Sequence, residues 1–475
     1  MSALKKFFKD TVIYGLATVL PRLMNFILVP LHTETLDTSS YSDNTYFYVY
    51  AAFFNVILAY GMETAFFRFF SNAKDKMLVF TTTLISISVT TIIIFAVVFG
   101  FSHQLAEFLN LRLDYFYYLS GVLALDALVI APFAYLRATG RPIKFTAIKL
   151  ANILVYVGLN FFFLWAIPKF GIELENYSKN GLVKYIFIAN LAASGVTFIL
   201  LCPYFFKSKL RFSGTILKQL LNYGWPIMVA GLAYVINENF DKWLLPDLLG
   251  KDVNGAYSGC YKIAVFMTIF IQAFRLGAEP FFFNHAKEGN AKKTYATILK
   301  YFVIAGCIMY LVIVGYLDVF KELIVRDESY WIAIDIVPIV LLANLFLGIY
   351  FNLSIWYKLT DRTRYGMYIS VIGALITIAF NVIMIPRIGF MASAWATLAA
   401  FGTMTLISYV LGQKYYKVDY DITRIGFYIT LTVVSYWLVN FMGINNTGVA
   451  TATILIFIAI AFILERNELK QLISK

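Results

Sequence analysis

Long apolar runs, each of about 20 residues and each bounded by charged or turn-forming residues, follow one another along nearly the whole chain. They fall near 10–33, 44–70, 77–100, 114–138, 143–167, 182–206, 220–246, 254–284, 295–317, 332–357, 365–386, 390–413, 421–442 and 446–464. A helix of that length spans the hydrocarbon core of a bilayer, and a spanning segment must satisfy its own backbone hydrogen bonds. The pattern therefore predicts an all-α, polytopic integral membrane protein with about 14 transmembrane helices. The 475 residues are 60% hydrophobic and 14% charged. Soluble domains run to about 45–50% and about 25%. A soluble enzyme, a secreted disulfide scaffold and a disordered hub are excluded on that balance. The +12 formal charge would suggest nucleic acid only if the cations clustered in a soluble region. They are spread over loops, so no nucleic-acid partner is expected.

The placement of those cations orients the chain. Of 39 Lys and Arg, 27 fall at the termini and in every second connection, as at Lys5, Arg141, Lys207, Lys293, Arg362 and Lys417. The intervening connections hold 7, as at Arg112, Lys179 and Arg387, and the other 5 lie in or at the ends of the spans. Cytoplasmic loops carry the excess of Lys and Arg, so both termini are expected in the cytoplasm. The N-terminal MSALKKFFKD runs into an apolar stretch with no small-residue cleavage site, which reads as an uncleaved first helix. Cys202, Cys260 and Cys307 sit inside apolar runs with no CxxC pair, and His32, His103 and His285 are isolated. Neither a metal site nor a cofactor is expected.

The chain also repeats itself. Tyr41-Ser42 is followed at a fixed interval by Gly61-Met62-Glu63 and then Phe66-Phe67. Tyr257-Ser258 is followed at the same interval by Gly277-Ala278-Glu279 and Phe282-Phe283. Thr139-Gly140-Arg141 leads to Asn160 and to Ile167-Pro168-Lys169-Phe170-Gly171. Thr360-Asp361-Arg362 leads likewise to Asn381 and to Ile385-Pro386-Arg387-Ile388-Gly389, with three fewer residues between the Asn and the close. Both matches are offset by six spans. The expected organisation is an N-lobe over 1–206, a C-lobe over 207–416 in the same orientation, and two extra helices with a tail over 417–475. Parallel repeats of this kind hold a substrate between two bundles that expose it to each side in turn.

Charges inside the spans are the candidate functional residues, because each costs at least about 2.5–3.5 kcal/mol at the bilayer centre unless it faces a cavity or a partner. Arg22 lies mid-span after Pro21 and before Asn25, and Asp126 is mid-span in the fourth run. Glu63 lies in the inner half of the second run. Arg275 and Glu279 are four apart in the inner half of the eighth, with Lys262 nearer its start. Glu238, Asp241 and Lys242 lie in the outer half of the seventh. The plain alternative for each is an internal salt bridge that fixes helix packing. Arg137 and Lys149 lie near cytoplasmic ends, where long cationic side chains snorkel to the interface. An arginine fork suits phosphate, which makes Arg22 and Arg275, with Asn25 and Lys262, candidate substrate-binding residues. Buried carboxylates can take up a proton or a sodium ion, which makes Glu63, Glu279, Asp126 and Asp241 candidates for ion coupling or gating. No GxxxxGK[ST], HExxH or GxSxG occurs, and the chain does not read as an enzyme.

Asp241-Lys242-Trp243-Leu244-Leu245, Leu249-Gly250, Gly255-Ala256-Tyr257-Ser258 and Tyr261-Lys262 closely resemble the polysaccharide-biosynthesis branch of the multidrug/oligosaccharidyl-lipid/polysaccharide exporter superfamily. So do Pro21-Arg22-Leu23-Met24-Asn25, Val29-Pro30-Leu31 and the stretch from Gly61 to Phe70. The resemblance implies two six-helix lobes around a cavity. It implies alternating access, and flipping of an undecaprenyl-diphosphate-linked oligosaccharide to the outer leaflet of a bacterial inner membrane for cell-surface polysaccharide or lipopolysaccharide. It implies that cavity arginines engage the diphosphate, with Arg22 the best-matching position. The several clustered arginines expected of a lipid II flippase are not found; Arg22, Arg68 and Arg275 are the candidates. In related lipid II flippases the last two helices form a groove for the lipid tail. Partners would be the lipid-linked oligosaccharide, membrane lipids, and a polysaccharide polymerase and glycosyltransferases. The rivals are an ion-coupled drug or metabolite antiporter of the same superfamily, a membrane glycan polymerase or ligase, and an assembly scaffold.

Overall fold

Polar residues with short side chains cap some of the helices, Asp37, Asp75 and Ser213 among them. In the computed structural model, α1 (Thr38–Ala59) begins after Asp37, whose carboxylate accepts from the Ser40 N–H at 2.8 Å. α2 (Met62–Asn72) follows after a break, and α3 (Lys76–Gly100) begins after Asp75, which accepts from Leu78 N–H at 3.0 Å. α4 (Leu113–Ala138), α5 (Pro142–Phe161), α6 (Val183–Leu201) and α7 (Gly214–Leu249) come next. Then follow α8 (Lys251–His285), α9 (Ala291–Gly315), α10 (Ile336–Leu353), α11 (Arg364–Ile388), α12 (Met391–Tyr415), α13 (Ile422–Phe441) and α14 (Thr447–Ile473). The structure describes residues 24–473 apart from 25, 174–176, 179–180, 208, 287–288, 361 and 442–446. Arg22 and Asn25 lie outside the described residues.

Twelve helical stretches among the described residues are long and apolar enough to cross a membrane. The protein is an all-α polytopic membrane protein. The fourteen expected spans add the first, of which residues 26–35 are described and helical, and α7. α7 is 36 residues long, but Glu238, Asp241 and Lys242 lower its apolarity. Large apolar side chains point outward along the helices, with Ile92 65% and Phe462 62% exposed. That outward face suits lipid, where exposed apolar surface carries no penalty.

The chain packs as two compact units, Met1–Ser258 and Gly259–Lys475, divided within α8. The expected lobe boundary after 206 follows the sequence repeat, a different criterion, and α7 is the whole helix on which the two differ. In the first unit α7 packs against α1, α2 and α3, and α6 against α4 and α5. Phe66, Phe80, Leu136 and Leu220 sit fully buried in its core. In the second unit α12 packs against α10 and α11, and α9 against α10, α13 and α14.

Two local departures from regular helix stand out. The second span breaks at Tyr60 and Gly61, whose φ values are 31° and 73°. There Gly61 meets the backbone of Gly224 on α7, and a Cβ on Gly224 would lie 2.8 Å from the Tyr60 carbonyl oxygen. The equivalent Gly277 lies in unbroken helix with nothing near it. The second departure is a π-helical turn, Phe162–Ala166, inserted before Ile167–Phe170. It occupies the stretch where the first copy of the repeat has three residues more than the second. The π-helix is rare and occurs mostly as single-turn bulges of this kind inside α-helices.

At the far end of the chain, charge holds α14 in place. Lys300 on α9 and Glu465 on α14 are buried and 2.6 Å apart, and Lys300 also meets Glu468. Glu465 accepts from Arg424 at 2.9 Å and from the buried Tyr428 hydroxyl at 2.8 Å, both on α13. Glu465→Ala is expected to lower stability by about 3 kcal/mol, since breaking a buried pair strands the remaining charge. Arg424→Gln, at a half-exposed cation, is expected to cost about 1 kcal/mol or less. Thermal unfolding of the purified variants measures both. Equal losses would show that Arg424 and not Lys300 holds the cluster.

Candidate functional site

Helical spacing gathers polar side chains onto one face of α5, at Lys149, Asn152, Tyr156 and Asn160. Asn190, Ser194 and Thr197 do the same on α6. These faces, with residues from α1, α2 and α4, enclose a cavity of about 530 Å³ in the first unit. Glu63, Asp126, Arg137 and Lys149 all line it. Arg137 Nη1 donates to Glu63 Oε1 at 2.6 Å and its guanidinium lies over the Phe67 ring at 4.9 Å. Asp126 Oδ1 accepts from Ser194 Oγ at 2.8 Å. Lys149 Nζ lies over the Phe133 ring at 4.5 Å. The polar seam continues beyond the cavity. Asn190 donates to the Tyr48 hydroxyl, which is 2.8 Å from the Tyr156 hydroxyl, and the buried Asn160 carbonyl oxygen is 2.9 Å from His32 Nε2.

The second unit carries a charge cluster of its own. Glu279 Oε1 on α8 accepts from Lys358 Nζ at 2.6 Å and from Arg275 Nη2 at 3.2 Å. Lys358 lies on the short helix Ile355–Leu359 that follows α10. The Arg275 guanidinium rests 4.0 Å from the Phe351 ring centroid. Its Nε is buried and has no hydrogen-bond acceptor among the described residues.

The two clusters are related by the sequence repeat. Glu63 and Glu279 follow the matching glycines, while Arg137 and Lys358 each lie two residues before the matching threonines. The repeat therefore places a carboxylate–cation pair at the same register in both copies, and both pairs close to 2.6 Å. Asn160 and Asn381 likewise occupy equivalent positions. Both are fully buried and both donate to the carbonyl four residues earlier at 2.8 Å.

Comparison with known proteins now places the chain. Residues 7–278 match the model of a family described as polysaccharide biosynthesis protein. The chain belongs to the polysaccharide biosynthesis protein family. Residues 226–383 also match a second model, MatE. Among solved structures, the lipid II flippase MurJ in an inward closed conformation superposes with a TM-score of 0.74 at 14% identity. That match covers 96% of this chain and 100% of the other. An inward-facing multidrug resistance MATE family transporter of the MOP superfamily gives 0.62 at 14% identity, over 86% of this chain and 99% of the other. At those identities the likeness is one of fold. No curated protein matches by sequence. The expected resemblance holds at the level of the family.

In this polysaccharide biosynthesis family member the structure brings Glu63 and Asp126 together in one cavity and joins Arg275 to Glu279. Lys262 stands apart: it is 13 residues from Arg275, about 20 Å along the same helix. Asp241 stands apart too, in a buried ion pair with Lys242, whose Nζ is 3.0 Å from each carboxylate oxygen. The Tyr257 hydroxyl adds a donor at 2.6 Å. Lys149 and Arg137, read as snorkelling ends, instead line the cavity. Lys358 was not singled out by sequence at all. The repeat could have revealed it, because Arg137 and Lys358 stand at the same offset from their matching motifs. Among the described residues no group of three or more His, Cys, Asp or Glu is arranged to hold a metal ion.

Proposed function

We propose that this protein is a flippase of the bacterial inner membrane, and not an enzyme. It would carry undecaprenyl-diphosphate-linked oligosaccharide from the cytoplasmic to the outer leaflet by alternating access, for cell-surface polysaccharide. The observation that carries this reading is membership of the polysaccharide biosynthesis protein family over residues 7–278. The likeness of fold to the lipid II flippase MurJ agrees with it. Both termini would be cytoplasmic, as the Lys and Arg distribution suggests. Arg275, together with Arg22, would contact the diphosphate. The first-unit cavity offers Asp126 and Glu63 as groups that could take up a proton or sodium ion. Membrane lipids, a polymerase and glycosyltransferases would be its partners.

The test is a deletion strain probed with a membrane-impermeant glycan reagent. Lipid-linked oligosaccharide is expected to accumulate in the cytoplasmic leaflet. The parent gene is expected to restore export and Arg275→Ala to restore at most a tenth of it. Normal outer-leaflet glycan in the deletion strain, with no second flippase present, would overturn the reading. The MatE match over 226–383 favours a second reading, export of a small amphiphilic compound by ion antiport. That reading predicts drug resistance on overexpression and no glycan defect.

A further inference from the structure

The second unit holds a cavity that its charge clusters do not use. It lies where the end of α9 meets the end of α13 and the start of α14, beside the start of α10. Its volume is about 320 Å³. Liquid water takes about 30 Å³ per molecule, so the space suits about ten waters or one small ring-shaped ligand. The Tyr316 hydroxyl is 2.7 Å from the Thr451 hydroxyl, which ties the end of α9 to α14. A Cβ on Gly315 would lie 3.0 Å from the Ala450 Cβ, so the two helices pass closely at the cavity wall. Leu311, Val314, Val439 and Ala450 make part of that wall apolar. Asp318 on the short helix Leu317–Ile324, Asp335 at the start of α10, and Ser435 and Tyr436 on α13 make the rest polar.

We infer that this cavity is a binding site for one neutral sugar ring, with Asp335 accepting hydrogen bonds from its hydroxyl groups. The inference rests on the flippase reading only for the source of the sugar. Charge selects the ligand class. Among the described residues the lining holds two carboxylates and no Lys, Arg or His, so it repels phosphate and other anions. Asp318 is already paired with Lys321 at 2.6 Å. Asp335 stands at the N-cap of α10, yet its side chain makes no capping hydrogen bond, and it joins no ion pair among the described residues. An ionised carboxylate only accepts, whereas Ser and Tyr hydroxyls both donate and accept. That set matches a ligand rich in hydroxyl groups. The Tyr436 ring is held edge-on by Tyr310, with centroids 6.2 Å apart and an interplanar angle of 84°. A ring so fixed, with the aliphatic wall, offers apolar surface to the C–H face of a sugar. A bare cation would meet the carboxylates but leave that wall and most of the volume unused.

The experiment is saturation-transfer NMR on the purified full chain in lipid nanodiscs, which avoid glycoside detergents. The probes are glucose, galactose, mannose and N-acetylglucosamine. At least one is expected to bind, Asp335→Ala to weaken it about tenfold, and Ser435→Phe, which fills the cavity, to abolish it. Asp114→Asn, at the start of α4, is expected to leave it unchanged. No binding by any of the four sugars, or undiminished binding by Asp335→Ala, would overturn the assignment. So would binding of ethanolamine in place of the sugars, which would make the cavity a cation site. Should Ser435→Phe fail to fold, Ser435→Cys replaces it. Saturating sugar is expected to slow maleimide labelling of that thiol at least threefold, and an unchanged rate would overturn the site. Complementation of the deletion strain separates the two sources. Export cut to under half by Asp335→Ala assigns the cavity to a ring of the transported glycan, whereas full export with weakened sugar binding assigns it to a free saccharide. The flippase reading fails separately. If the deletion strain exports glycan normally while Asp335→Ala still weakens sugar binding, the sugar site stands and the glycan export does not.

Discussion

Gly61→Val is expected to reduce the yield of folded, monodisperse protein to under a tenth of the parent. At φ 73° the residue sits in the left-handed region, which costs an L-residue about 1–2 kcal/mol and a β-branched one more. The new side chain would also intrude on the Gly224 backbone, forcing α7 away from the bend between α1 and α2. Together these reach about 3–5 kcal/mol, a large share of a typical stability of about 5–15 kcal/mol. Substitution of the equivalent glycine in the second copy by alanine should go the other way. Gly277 is helical with nothing near its Cβ position, so Gly277→Ala is expected to stabilise by about 0.5–1 kcal/mol. Size-exclusion profiles and thermal unfolding midpoints of the two variants check both signs. A Gly61→Val protein with the parent midpoint would show that the break owes nothing to this contact.

Asp241→Ala is expected to be nearly as damaging, and a second substitution is expected to repair it. Lys242 is buried and held by both oxygens of Asp241 and by the Glu238 carbonyl oxygen at 2.9 Å. Removing the carboxylate strands an ammonium in the interior, a loss of about 3–5 kcal/mol. Asp241→Leu with Lys242→Met removes both charges together and is expected to recover most of the stability, leaving mainly the Tyr257 hydroxyl to satisfy. We expect the double variant to export glycan as well as it folds, because every oxygen of Asp241 is already engaged inside the protein. A double variant that folds to the parent midpoint but exports nothing would instead give Asp241 a part in coupling or gating.

The sequence made the helices legible because the bilayer imposes length and apolarity on each span separately. α3, α4, α11 and α12 begin and end within a residue or two of the apolar runs that announced them. The Tyr60–Gly61 break was not legible. An isolated glycine in a helical pattern is usually tolerated, and what bends the chain here is a backbone contact with Gly224, distant in sequence. The short helices Ser102–Phe108 and Leu317–Ile324 also escaped notice, since each is too brief to show a period. At the candidate site, Glu63, Asp126, Arg275 and Glu279 were readable as charges that the membrane would not accept without a reason. Arg137 and Lys149 were not, because nearness to a span end gives a cation an easy escape to water. Only the polar faces of α5 and α6, assembled in three dimensions, show that it faces inward.

The buried cluster on α14 also bears on how the topology can be mapped. Reporter proteins are usually fused after progressively shorter pieces of a membrane protein, and chain ends ordinarily tolerate such trimming. Here a junction before Glu465 would remove the partner of Lys300 and the acceptor for Tyr428 and Arg424. The truncated product would present α9 with a stranded ammonium, and its reporter would describe a rearranged end. Junctions placed after Ile473 keep the cluster whole, so the location of the C-terminus is best assayed on the uncut chain.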